Sequence, residues 1–484
     1  MKKTLFLNPP SFEGFDGGAG SRYQARREIR SFWYPTWLAQ PAACIPNSRL
    51  VDAPPDDLTL DDVARIAREG FELCIIHTST PSFASDLRVA ERLKRECPQV
   101  MIGMVGAHVA VKPRESLEDG RGILEFVARK EFDFTIRDIA EGAPLSDVTG
   151  ISYLNEAGQV VHNPERPIIE DMDTLPFVVD VYKRDLSIEN YAIGYLKHPY
   201  LSLYTGRGCP AQCTFCLWPQ TIGGHRYRTR RPETVYEEMK RATHYFPQVK
   251  EFFFDDDTFT ADRPRTEAIA RLLGKLGIEW SCNSRANVPY ETLKVMKENG
   301  LRLLLVGFES GNDRILRNIK KGVTLERARR FMQDCHRLDI KVHGTFILGL
   351  PGETRETIRE TIEYAKEIDP WSIQVSMAAA YPGTEFYAQA VANHWLLPDD
   401  LITVDGIQDF PIQYPDLPRR EVYDALEEFY MNFYLRPKPI FRMIGEMLKD
   451  AHQRRRRLHE AKEFFQFLRQ RRRTAHAEQA AASS

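Results

Sequence analysis

Little in this sequence invites covalent cross-linking, membrane insertion or broad electrostatic adhesion. Cysteine is sparse, eight residues in 484, too thinly spread for a disulfide framework. No apolar run approaches the roughly twenty residues that cross a bilayer. Met1-Lys2-Lys3 leads into Thr4-Leu5-Phe6-Leu7-Asn8, and Pro9-Pro10 stop that run short of a signal-peptide core. The formal charge of −2 gives no overall attraction to nucleic acid. No G-x-G-x-x-G follows the first apolar run, so a dinucleotide-binding turn is absent. What is left is a composition ordinary for a soluble globular protein, 43% hydrophobic and 28% charged, in a chain long enough for two or three domains. One asymmetry breaks the neutral average: arginines crowd residues 454–457 and 471–473.

Three of the cysteines stand together in Gly206-Arg207-Gly208-Cys209-Pro210-Ala211-Gln212-Cys213-Thr214-Phe215-Cys216, just after the apolar stretch 200–204. A closed zinc site takes four ligands, usually as two separated pairs. Three clustered thiolates at C-x₃-C-x₂-C spacing suit an iron–sulfur cube in which the fourth iron has no protein ligand and is open to chemistry. A zinc knuckle completed by His225 is the competing reading. Cys44, Cys74, Cys97, Cys282 and Cys335 show no partner spacing and read as small buried hydrophobes.

The first third alternates short apolar runs (4–8, 72–77, 100–105) with helical faces. In 57–69 the face is Leu60, Val63, Ile66 and Ala67; in 85–96 it is Leu87, Val89, Ala90 and Leu93. That order predicts a doubly wound parallel sheet over 1–145, with ligands beyond the carboxyl ends of its strands. His108 stands at one such end and reads as structural. Glycines 14, 17, 18 and 20 mark a surface loop able to close over a ligand. Arg22, Arg26, Arg27 and Arg30, with Trp33, Tyr34 and Trp37, form a basic and aromatic patch whose default reading is a solvated helix face.

Residues 146–195 read as a connector, with a hairpin over 150–161. From 196 to 400 strands and helices alternate again: strands at 201–204, 251–254, 279–282, 303–308, 341–347 and 372–375, helices at 232–246, 263–276, 290–299, 325–338 and 354–368. Six βα units cannot close an eight-stranded barrel, but right-handed crossovers curl them into a partial one. Polar clusters follow successive strands: the cysteine loop, Asp255-Asp256-Asp257, Asn283-Ser284-Arg285, Glu309-Ser310-Gly311 and Gly349-Leu350-Pro351-Gly352-Glu353. If a nucleoside bearing an amino acid binds the open iron, Arg285 can grip its carboxylate with two hydrogen bonds. Glu309 can accept from its ribose, and glycines 206, 208, 307 and 349 let backbone approach a flat ring. The aspartates also suit helix capping, and Gly349 to Gly352 a plain turn.

On these motifs residues 200–385 resemble the radical S-adenosylmethionine (SAM) superfamily, whose signature is C-x₃-C-x₂-C on the first loop of a partial (βα)₆ barrel. The resemblance implies that Cys209, Cys213 and Cys216 ligate a [4Fe–4S] cluster and that SAM chelates the unique iron. It places Phe215 beside the adenine, and Arg285, Glu309, Gly307 and Gly349 among the SAM contacts. It further implies reductive cleavage of SAM to a 5′-deoxyadenosyl radical, and an electron donor such as flavodoxin or ferredoxin. Phe254-Asp255-Asp256-Asp257-Thr258-Phe259 and Tyr381-Pro382-Gly383-Thr384 resemble the subgroup that carries an N-terminal cobalamin-binding domain. The D-x-H-x-x-G motif that offers histidine to cobalt is absent, so the implied cobalamin lacks that axial ligand, and His108 is not assigned to it.

The α/β fold implied is an N-terminal doubly wound cobalamin-binding-like domain, a partial (βα)₆ radical SAM barrel and a helical C-terminal extension over 401–484. The segment from Leu5 to Gly20, continuing to Trp33-Tyr34-Pro35-Thr36-Trp37, is similar to the radical SAM proteins of bacterial hopanoid biosynthesis. That likeness implies a hopanoid lipid substrate whose sugar head group is rearranged from a glucosamine-type precursor to a cyclitol ether. The alternatives are a cobalamin-dependent methylase of a lipid or other unactivated carbon, and a non-catalytic metal-binding protein. Leu458, Ala461, Phe465 and Leu468 form one helical stripe flanked by arginines, which suits either a peripheral contact with an anionic membrane or docking on the protein itself. The expected location is cytoplasmic, peripheral to the inner membrane face if the stripe binds lipid, with no nucleic-acid partner.

Overall fold

The computed structural model describes residues 1–10, 31–397, 401 and 409–449, with the isolated positions 458, 462 and 466. Seven strands form the first sheet: β1 (Thr4–Asn8), β2 (Ser48–Asp52), β3 (Leu73–His77), β4 (Met101–Val105), β5 (Phe126–Ala128), β6 (Ile151–Leu154) and β7 (Val160–His162). Their order is β2-β1-β3-β4-β5-β6-β7, parallel through β5, with β6 and β7 adding an antiparallel hairpin. Every residue of β1 and β3 is buried, as expected for strands covered on both faces. The order reverses at β1, which makes the crevice between β1 and β3 a topological switch point. Beside it Asn8 Nδ2 donates to Asp52 Oδ1 at 2.7 Å and the Tyr191 hydroxyl to Oδ2 at 2.8 Å. The doubly wound expectation holds. Tyr34 and Trp37, expected on a solvated face, are buried instead, Tyr34 stacked on Tyr191 at 4.2 Å. The loop glycines and Arg22 to Arg30 lie outside the described residues.

The second sheet contains β8 (Tyr200–Leu203), β11 (Glu251–Phe254), β12 (Trp280–Ser284), β13 (Leu301–Glu309), β14 (Lys341–Leu348) and β15 (Ser372–Met377). Between β8 and β11 the chain adds a ribbon, β9 (Gly206–Arg207) paired antiparallel with β10 (Arg228–Thr229). The six long strands are parallel in the order β15-β14-β13-β12-β11-β8, so each crossover reaches the adjacent strand and the sheet curls into the expected partial barrel. The edge strand β15 is sealed by side chains of the helix Arg419–Tyr434. Its Tyr430 and Tyr434 hydroxyls accept from the Val375 and Ile373 amides at 2.9 and 3.0 Å. No described helix is long and apolar enough to cross a membrane. Of the C-terminal stripe, only Leu458 is among the described residues.

A buried ion cluster ties the two sheets together. Arg207 and Arg228 face each other across the ribbon. Asp133 takes both Nη atoms of Arg207, at 2.6 and 3.0 Å. Glu131 takes both of Arg228, at 2.8 and 2.7 Å, and also accepts from the Ile169 amide. None of the four is more than 4% exposed. Removing one partner of such a cluster strands the others without compensation. Glu131→Ala therefore costs about 3–5 kcal/mol, and Glu131→Gln, which keeps the hydrogen-bonding shape, costs less. Urea denaturation checks this, and an unchanged midpoint in Glu131→Ala would refute it.

Candidate active site

The cysteine loop has little regular structure and is pinned by its neighbours. Gly208 sits at φ +87° where a Cβ would overlap the Arg226 carbonyl, so this glycine lets the loop press onto residues 223–226. The Gly208 amide donates to Asp257 Oδ2 at 3.0 Å, and the Cys209 amide to the Gly224 carbonyl at 3.3 Å. On the other side the Thr214 amide donates to Ile319 O at 3.1 Å. Gln220 Nε2 donates to the Cys216 carbonyl at 2.8 Å, with the Thr214 and Cys213 carbonyls at 3.2 and 3.3 Å, while its Oε1 accepts from the Glu385 amide. The sequence motifs pass over Gln220, whose role depends on packing between loops.

All three thiols are free of disulfides and line one cavity of about 320 Å³ at the carboxyl ends of the barrel strands. Burial pushes the Cys209 thiol pKa up, Asp257 adds to this and Arg285 opposes it. His225 Nδ1 lies 2.9 Å from the Ala211 carbonyl, which commits that nitrogen to the loop backbone. Among the described residues no three His, Cys, Asp or Glu donors are placed to share one metal ion. Three thiols lining a common cavity, with His225 Nδ1 held by the loop backbone, fit a polynuclear cluster better than a zinc knuckle.

The cavity gathers most of the predicted contacts. Phe215, Arg285, Gly307 and Glu309 line it, with Asp255, Asp257 and Trp33. The three consecutive aspartates have separate tasks. Asp255 Oδ1 accepts from Asn283 at 2.9 Å, and Asp257 holds Gly208. Asp256 is fully buried and accepts from the Thr205 amide and hydroxyl and the Tyr227 hydroxyl at 2.6–2.7 Å. Glu309 takes φ +66° at a register shift in β13, a conformation that costs a non-glycine residue about 1–3 kcal/mol. Its Oε1 lies 2.7 Å from Lys321 Nζ, both side chains under 10% exposed. A Cβ on Gly307 would overlap the Glu309 carboxylate, so any larger residue there would have to displace the Glu309 side chain from its present position. Lys321 also lines the cavity and belongs to no motif in the sequence.

Gly349 is placed differently. It sits at φ +83° with the Phe410 ring where its Cβ would be, and its carbonyl accepts from the Tyr414 hydroxyl at 2.9 Å. It is not among the cavity-lining residues, so the plain-turn reading describes it. The turn is capped by Glu353, whose Oε2 accepts from the Gly349 and Leu350 amides at 2.6 and 3.1 Å. Burial outweighs those bonds and pushes the Glu353 pKa up to about 8, from 4.5. The folded chain thus keeps a proton that the unfolded chain sheds. This group's contribution to stability is complete below the unfolded pKa and is lost as pH rises through about 8. Glu353→Gln is permanently neutral, so its denaturation midpoint gains on the native protein between pH 5 and pH 8.5, roughly the span of that linkage. A gap independent of pH would refute the assignment.

The two sheets also meet at the mouth. Ala107, in the short helix Ala107–Val111 after β4, packs with Leu217 and with Tyr381, which lines the cavity. The carboxyl edge of the first sheet therefore abuts the cavity wall of the second.

Comparison with known proteins agrees with this geometry. The model of the radical SAM superfamily matches residues 203–365. The chain is 31% identical to an uncharacterized methyltransferase of Pyrococcus horikoshii, over 82% of this chain and 86% of the relative. It is 25% identical to the hopanoid C-3 methylase of Methylococcus capsulatus, over 71% of this chain and 63% of that one. Among solved structures its fold is similar to that of TsrM, a radical SAM methyltransferase from Kitasatospora setae determined with cobalamin and a [4Fe–4S] cluster bound. That likeness has a TM-score of 0.68 at 14% identity and covers 96% of this chain and 99% of the other. The chain belongs to the radical SAM superfamily, and is an enzyme of the class that works through a [4Fe–4S] cluster and SAM.

Proposed function

We propose that this protein is a cobalamin-dependent radical SAM methylase acting on an unactivated carbon, with Cys209, Cys213 and Cys216 as the cluster ligands. The observation that carries this reading is the single cavity shared by the three cysteine thiols, Arg285 and Glu309, beside the carboxyl edge of a doubly wound sheet. The cluster supplies an electron for cleavage of SAM, and a corrinoid supplies a methyl carrier. Within the chain, Arg285 offers a fork for the amino-acid carboxylate of SAM, Glu309 an acceptor for its ribose, and Phe215 an apolar face for its adenine. Trp33 adds an aromatic face to the cavity wall and packs edge-on against Phe253 of β11. His108 is assigned no cobalt-ligand role: its Nδ1 is 3.3 Å from Thr80 Oγ1 and its ring stacks on Phe83, contacts that give it a use in holding the strand end. The likeness to methyl-transferring relatives supports methylation over rearrangement.

A second reading, rearrangement of a bacteriohopanepolyol head group, is favoured by the opening sequence through Trp37 and by the hopanoid-modifying relative. Anaerobic turnover with SAM, reductant and a hopanoid separates the two. A methylase forms S-adenosylhomocysteine together with 5′-deoxyadenosine, whereas a rearranging enzyme forms no S-adenosylhomocysteine. Cys209→Ala, Cys213→Ala and Cys216→Ala each abolish 5′-deoxyadenosine formation; turnover retained in all three would overturn the ligand assignment.

A lipid substrate gives a use to the helix Pro437–Lys449, where Phe441, Ile444 and Leu448 are 71%, 45% and 77% exposed on one face. With the arginine runs that follow, it suits peripheral contact with an anionic membrane. Co-sedimentation with anionic vesicles checks this: Phe441→Ser/Leu448→Ser loses binding, and unaltered sedimentation would sink the idea.

A further inference from the structure

Lys321 touches both sides of the cavity. Its ammonium lies 2.7 Å from Glu309 Oε1, and its carbonyl accepts from Arg285 Nη2. The other arm of the same guanidinium, Nη1, reaches Cys213 Sγ at 3.8 Å. The turn that carries Lys321 is itself fastened to the cysteine loop, through the Thr214 amide on Ile319 O at 3.1 Å. Two left-handed residues bracket it, Lys320 at φ +53° and Gly322 at φ +70°. Lys321 is thus one contact from the Glu309 carboxylate and two from a cysteine sulfur.

Stability alone does not account for this arrangement. A buried lysine–carboxylate pair gains little over apolar side chains of similar volume, and a buried lysine gives up much of its rotamer freedom. The pair does have a positional effect. With Oε1 held by Lys321, Glu309 Oε2 accepts no hydrogen bond from the chain among the described residues, so one carboxylate oxygen is fixed and the other is left for a ligand hydroxyl.

We propose that Lys321 is a positioning residue for SAM: its ammonium aims Glu309, and its carbonyl holds Arg285 against the cluster-side sulfur. The ribose and amino-acid ends of the ligand are thereby gripped at a fixed separation from Cys213. The inference rests on the function proposed above.

The test uses the full chain with its cluster reconstituted anaerobically in Lys321→Met, Lys321→Arg, Glu309→Gln and Lys321→Met/Glu309→Gln. SAM binding is read from the change it causes in the electron paramagnetic resonance spectrum of the reduced cluster. Lys321→Met is expected to hold as much iron and sulfide as the native chain and to bind SAM about 10- to 100-fold more weakly, as for groups that orient a ligand-contacting residue. Lys321→Arg recovers part of that loss. The double variant binds no more weakly than Glu309→Gln alone, because the ammonium acts through Glu309. Affinity in Lys321→Met within twofold of native, at roughly equal cluster content, or losses that add fully in the double variant, would overturn the proposal. If Lys321→Met does not fold, the double variant, in which both charges are gone, is compared with Glu309→Gln: equal affinity supports the proposal and a further loss of about tenfold overturns it. A native chain that forms no cluster, or whose spectrum SAM leaves unmoved, defeats the proposed function itself, a result distinct from an indifferent Lys321→Met.

Discussion

The buried pairing of Arg207 and Arg228 with Asp133 and Glu131 governs where the chemistry can happen. Two cations opposite each other on a two-stranded ribbon repel unless acids neutralise them, and in a site this dry water cannot do so. Both acids come from the first sheet's side, immediately after β5. The ribbon flanks the cysteine loop, so the loop stands where the first sheet holds it. Trp37 extends the junction: the Arg207 guanidinium lies 4.8 Å over its ring, which stacks face to face on Trp218 at 5.0 Å.

Around that anchor, support and chemistry are divided among side chains of the same type. Of three neighbouring aspartates, Asp256 is spent wholly on holding Thr205 and Tyr227, whereas Asp255 and Asp257 face the cavity. Of two glycines at strand ends, Gly307 leaves room for the Glu309 carboxylate and Gly349 for a packed phenyl ring. Strain follows the same division. Glu309, a non-glycine residue held at positive φ, lies in the cavity wall, where surrounding contacts maintain a conformation that the isolated backbone disfavours.

Legibility in the sequence tracked the range of the interaction. Strands with unbroken apolar runs, such as Phe252-Phe253-Phe254 in β11, announced themselves, and so did the amphipathic helices between them. β2 did not, because Ser48-Arg49-Leu50-Val51-Asp52 offers only two apolar residues, and β5 is three residues long. The cysteine triplet was legible because its three residues lie within one short stretch of sequence. The placing of Arg285 and Glu309 in the cavity wall was legible through their order after successive strands. The ion cluster left no pattern: Arg228 is 97 residues from Glu131 and Arg207 is 74 from Asp133. Lys321 was hidden for the same reason, since a turn after a short helix gains meaning only when the barrel folds it back over Glu309. The aromatic segment near Trp37 misled because its arginines suggested solvent, whereas its rings complete the junction between the sheets.

The tyrosine seal on β15 has a consequence for versatility. A strand there would lock the sheet's last edge into a fixed register, whereas two phenol groups from a helix satisfy the same amides without dictating what lies beyond them. The covering of this edge is in this sense upholstery and not frame. Substitutions in that helix can change what covers the edge without disturbing the register of the barrel strands, while the cysteine loop, bolted to the other sheet, keeps its place.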